Sequence, residues 1–233
     1  MRGQSDNTSG WAASALGWWQ EAGVDTIVGE EPRDWLAPKA KAAEAPPVVP
    51  APDKLPTDLG SFREWLRSTE LFSPGIALDP IGDPGSGLMM MIDMPAQDDA
   101  ATGTLLGGEI GAMFDRMLAR MNRDRTSIYL APMLPVRNPT GKLPAKDVEQ
   151  VALIARHHIG LAAPKALLLF GDECSKAFLG QAAALARGRA HSIDTGAGPI
   201  PTFVTMSLQM LLKLPERRRD AMADIEMLME ELA

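Results

Sequence analysis

Beyond residue 57, apolar residues follow two arrangements. In the first they stand in short runs: Leu88–Ile92 (LMMMI), 127–134 (SIYLAPML), 165–170 (KALLLF) and 200–205 (IPTFVT). In the second they recur every three or four positions, over 61–68, 109–121, 145–159, 172–179, 208–212 and 217–232. The runs predict strands, with KALLLF buried on both faces of a parallel sheet, and the three-to-four spacing predicts amphipathic helices. Strands alternating with helices predict an α/β fold: a three-layer sandwich around a mainly parallel four-stranded sheet with right-handed connections. Gly160 and Gly180 are expected to end two of the helices, and 79–87 and 191–198 read as loops.

The pattern ahead of residue 57 is different. Residues 1–10 are polar. Residues 11–22 place Trp11, Leu16 and Trp19 on one helical face, with Gly23 as a C-cap. Val24, Ile27, Val28, Trp35 and Leu36 extend the apolar surface. This arm either docks on its own domain or binds another protein through its Trp anchors. Residues 37–56 are dense in Ala and Pro and read as a semi-extended linker. The chain thus divides into a Trp-rich arm (1–36), a linker (37–56) and one domain (57–233).

Charge and composition narrow the chemistry. A net charge of -7 excludes a generally basic nucleic-acid coat and leaves room for a local basic face. Lys213 with Arg217, Arg218 and Arg219 could hold phosphates, or could be solvated surface beside Glu216 and Asp220. Cys174 is the single cysteine, so no intramolecular disulfide and no Cys-rich metal site can form. The three histidines are too scattered for a metal motif, and no cofactor is expected. Neither a signal peptide nor a membrane span is legible, which predicts a cytoplasmic protein without a membrane partner. No Walker-type phosphate loop and no GxSxG elbow occurs.

The best carboxylates follow the first strand. Leu88–Ile92 breaks at Asp93, Pro95 turns the chain, and Asp98 and Asp99 come next. Ligand sites of open α/β sheets lie at such carboxyl ends. A carboxylate there could orient a water molecule or stabilise positive charge, yet Asp and Pro are also ordinary turn formers. Gly103, Gly107, Gly108 and Gly111 follow, outside any GxGxxG frame. Ser207 has no acid–base partner by spacing.

The order of motifs from 88 to 232 resembles the uracil-DNA glycosylase superfamily, closest to its family-4 branch. IDMPAQDDA stands where that family has GEAPGxxED, with Pro95 retained and Asp93 and Asp99 in place of its two Glu residues. GTLLGGEIG stands at GxPFxGxxG, with Gly103, Gly108 and Gly111 in register. PKALLLFGDECSKAFLG looks like PKVIVALGxxAAxALLG, and TMSLQMLLKLPERRRDA looks like TxHPSxLLRxPxxKRDA. The resemblance implies a DNA-repair, base-excision fold in which Asp93 or Asp99 orients water and Ser207 contacts the base or a phosphate. Pro95, Ala96, Leu106 and Ala131 would line the base pocket, and Lys213, Arg217 and Arg218 would meet DNA. It also exposes the departures. Leu106 replaces the stacking Phe, Ala131 the base-reading Asn and Ser207 the His, and the cluster cysteines are missing. A glycosylase must hold a flipped base and stabilise charge on it as it leaves, so these changes predict altered or lost N-glycosidic hydrolase activity. The alternative is a module that keeps the fold to bind DNA or protein.

Overall fold

The structure, a computed structural model, describes residues 55–72, 75–141, 147–196 and 198–232. They fall within the unit Val49–Ala233. The arm and nearly all of the linker lie outside the described residues.

Six strands form one mixed sheet: β1 (Ile81–Gly82), β2 (Leu88–Ile92), β3 (Tyr129–Pro132), β4 (Ala166–Phe170), β5 (His191–Asp194) and β6 (Pro199–Thr205). Their spatial order is β1-β3-β2-β4-β6-β5. The inner four, β3-β2-β4-β6, are mutually parallel and correspond to the four expected strands. The sheet is wider than expected, because β1 and β5 add antiparallel edges.

Both edge strands lie in segments whose sequence reads as loop. β1 is two residues long, and its Gly82 is indispensable to the pairing: at φ +92, a Cβ there would lie 2.0 Å from the Ile128 carbonyl oxygen. β5 buries only Ile193 among its four residues. An edge strand facing water on its outer side needs little apolar sequence, so the period-two signal is faint.

The central strand β2 shows why its own run is unbroken. Leu88, Met90 and Ile92 join one core cluster and Met89 and Met91 the other. Successive side chains point to opposite faces, and both faces are covered, so no position is left polar. The first face packs against α3 (Gly108–Arg120), α7 (Leu208–Lys213) and α8 (Arg218–Leu232). The second packs against α1 (Leu59–Ser68), α4 (Val148–Ala162) and α5 (Gly171–Leu179). Two single-turn helices, α2 (Asp99–Thr102) and α6 (Ala183–Ala186), complete the α-helices of the described residues. Among the described residues, no helix is long and apolar enough to cross a membrane.

α4 passes through Gly160, the expected stop, and ends at Ala162 with Ala163 as its left-handed cap. Gly160 serves packing instead: a Cβ there would press to 3.2 Å on the Thr195 carbonyl oxygen. Gly180 does cap α5, at φ 71. On the same face His158 is buried, and its Nε2 lies 2.8 Å from the Tyr129 hydroxyl.

The winding locates the site. The chain leaves β2 for β3 on one side, crossing the first face through α3. It then crosses back over the second face through α4 to β4, on the other side of β2. Direction and face change together, so the two crossovers share one hand, as such units do. The connections therefore diverge between the carboxyl ends of β2 and β4, a topological switch point where open sheets bind ligands.

Candidate functional site

Asp93 stands directly after β2, at the switch point. Its Oδ1 accepts the Met94 N–H at 2.9 Å, and its carbonyl accepts the Leu134 N–H at 2.9 Å, tying it to the chain leaving β3. Among the described residues its second carboxylate oxygen has no hydrogen-bond partner. Burial pushes the Asp93 carboxyl above the ordinary carboxylate range; its own backbone bonds oppose this, and the nearby Glu173 carboxylate adds to it. A half-buried carboxyl with one free oxygen and a raised pKa can hold or move a proton.

Asp99 is built differently. It is fully buried at the start of α2. Its Oδ2 accepts the N–H groups of Ala96 at 2.7 Å and Leu106 at 2.9 Å, and its Oδ1 accepts that of Gly107 at 2.8 Å. One carboxylate thus joins the turn after β2 to the glycine loop before α3. Arg125 holds that loop from the other side, donating to the carbonyls of Leu105 at 2.9 Å and Leu106 at 2.8 Å while pairing with Asp115. Gly111 is needed for the same closure, since a Cβ there would lie 1.9 Å from the Leu106 carbonyl oxygen. Leu106 itself sits at φ 54, an uncommon angle for a side chain of its kind.

Ser207 follows β6 and caps α7, its hydroxyl accepting the Met210 N–H at 3.3 Å. Gly171, at φ +88, opens α5 against it: a Cβ on Gly171 would meet the Ser207 Cβ at 2.9 Å. β2, β4 and β6 are successive neighbours, so the strand ends leading to Asp93 and Ser207 are about 10 Å apart, two inter-strand spacings.

The remaining expected positions fall in three places: the turn after β2, the two cores, and the segment from α7 to α8. Pro95 and Ala96 are buried in the turn after β2. Leu106 lies in the first core cluster, 1% exposed, and Ala131, fully buried, pairs with Met91 and lies in the second. Lys213 is exposed at the end of α7. Arg217 pairs with Asp220 at 3.2 Å, and Arg218 donates its Nε to the Leu211 carbonyl at 2.9 Å.

Three neighbours escaped the sequence. Arg137, after β3, donates to the Pro95 carbonyl at 2.7 Å and brings a positive charge near Asp93. Glu173 comes from the first turn of α5. Cys174 is buried beside them, its Sγ 3.8 Å from the Met91 carbonyl, and burial first, then Asp93 and Glu173, push its thiol upward. The signal for the last two was the acidic pair Asp172-Glu173 at a helix start immediately after a buried strand. Arg137 left none, because its loop carries no periodicity. Among the described residues, no cluster of three or more His, Cys, Asp or Glu side chains could hold a metal ion. No family model matches the chain.

Proposed function

We propose that residues 57–233 form a uracil-DNA-glycosylase-like domain, a three-layer α/β sandwich of DNA-repair type, with base excision altered from that of the family it resembles. One observation carries the reading. Asp93, the segment opening α5 and Ser207, widely separated in sequence, follow the neighbouring strands β2, β4 and β6 at one end of the sheet. They belong to three of the segments that resemble glycosylase motifs. Asp93 is the acid for orienting water, because it keeps an unengaged oxygen; Asp99 holds the two flanking loops together through the backbone groups it gathers. Ser207 offers a single hydroxyl toward a base or phosphate. It lacks the charge an imidazolium would bring to a departing anion, a donor type whose loss costs on the order of a hundredfold or more in rate.

A second reading draws on a specific observation. Leu106 and Ala131, the positions matching the stacking and base-reading residues, are buried core side chains. On that reading the fold persists as a DNA- or protein-binding module without excision.

The two readings separate in one assay. The protein is incubated with single- and double-stranded DNA carrying uracil, hypoxanthine or xanthine, and abasic sites are scored. Abasic product that disappears in Asp93→Asn supports excision. Salt-sensitive DNA binding without product supports the binding module.

A further inference from the structure

α3 and α8 both lie on the first face of the sheet. A groove of about 780 Å³ runs between them, with Arg116, Arg120, Arg218 and Arg219 around it and the buried Met117 and Met222 beneath. It continues into a second stretch of about 720 Å³, which shares Arg120, Met222 and Glu226 and adds Met229 and Glu230.

The four guanidinium groups are unusually placed. In a chain of net charge -7, acids are in excess. Even so, Arg116, Arg120 and Arg219 make no ion pair among the described residues, and Arg218 commits only its Nε, to the Leu211 carbonyl. Arg218 and Arg219 also open α8, where the helix macrodipole disfavours cations. Arg116 and Arg120 line up one turn apart, about 6 Å along α3. Folding gains little from this arrangement, whereas an anionic partner would gain much.

The charge is polarised along the groove. The first stretch carries four arginines and one glutamate, and the second carries one arginine and two glutamates over methionine. A phosphodiester strand, charged at every step, would be repelled by Glu226 and Glu230. A peptide can put carboxylates at one end and apolar side chains at the other. Arginine takes carboxylates as a planar fork, and methionine adapts to varied apolar shapes.

We propose that the α3–α8 groove docks an acidic peptide segment of a partner protein. Its carboxylates meet Arg116, Arg120, Arg218 and Arg219, and its apolar anchors lie over the methionines toward Met229. Neither reading of the switch point is required for this.

The test is fluorescence anisotropy on the full chain. The probe is a labelled synthetic peptide of consecutive glutamates followed by a segment containing leucine and phenylalanine. Expected are saturable binding that weakens with salt and a loss of affinity of about tenfold or more in the Arg116→Glu, Arg219→Glu double variant. Both side chains are exposed, so this variant should fold. Met229→Glu, adding an acid to the second stretch, should weaken binding as well, and so should glutamine for glutamate in the probe. Three results would overturn the proposal: no saturable binding, equal binding by the double variant, or tighter binding of a single-stranded oligodeoxynucleotide through the same arginines.

Discussion

The Asp99 carboxylate and the Leu106 amide, seven residues apart, meet at 2.9 Å in the buried interior. With the Ala96 and Gly107 amides, this bond makes one acid the joint between the two loops that flank the switch point. Its replacement should therefore act on both loops at once. Asp99→Ala orphans three N–H groups, two of them in bonds buried at both ends. A cost of about 3 kcal/mol or more is expected, with Asp99→Asn intermediate. Urea unfolding midpoints measure both, and a near-neutral Asp99→Ala would contradict the assignment.

Two glycines in the following segment should differ sharply in how much their replacement costs. Gly111→Ala drives a methyl group against the Leu106 carbonyl and the Arg125 guanidinium, at 1.9 and 2.8 Å. Backbone and a tethered arginine yield little, so a loss on the order of 3 kcal/mol is expected. Gly108→Ala meets open space and suffers only its φ of +57, at about 1 kcal/mol. Thermal melts of the two variants side by side test the contrast.

His158 makes the fold sensitive to mild acid. Burial holds its imidazole neutral, with its pKa brought down to about 3 from 6.5. The unfolded chain binds a proton below 6.5 that the folded chain refuses, so stability falls as pH drops from about 6.5 toward about 3. Between pH 7.5 and 5 this residue should cost about 2 kcal/mol. His158→Gln, which keeps a partner for Tyr129, should flatten the slope of urea stability against pH.

Asp93 carries the opposite sign. Its carboxyl is raised by burial, so its charged form is less favourable folded than unfolded. Near neutral pH, Asp93→Asn should raise the unfolding midpoint while abolishing any excision. The gain should vanish below the ordinary carboxylate range, where the acid is protonated in both states. An Asp93→Asn protein less stable than the parent at pH 7 would count against a desolvated acid at this position.

β2, β3 and β4 were legible because burial on both faces forces apolar runs, and β6 because its buried Thr202 and Thr205 are β-branched residues suited to a strand. The edges were not: Ile81-Gly82 is too short for a period, and His191–Asp194 buries a single side chain. Gly160 misled because a glycine chosen for close approach to Thr195 looks in sequence like one that ends a helix. Within the site, Asp93 could be read from its place after a strand. The different task of Asp99 could not, since it depends on where the Leu106 and Gly107 amides come to rest. The alignment of Arg116 and Arg120 with Arg218 and Arg219 was equally hidden, because it joins helices about a hundred residues apart in the chain.

Met89, Met90 and Met91, consecutive in β2, are each 0% exposed at the middle of the sheet. Peroxide can reach the Met90 thioether only when the helices on the first face lift away, and those of Met89 and Met91 only when the helices on the second do. Oxidation of all three on one tryptic segment is thus a clock for whole-domain opening. Met210, 46% exposed, supplies the internal standard for oxidant that has already reached the surface.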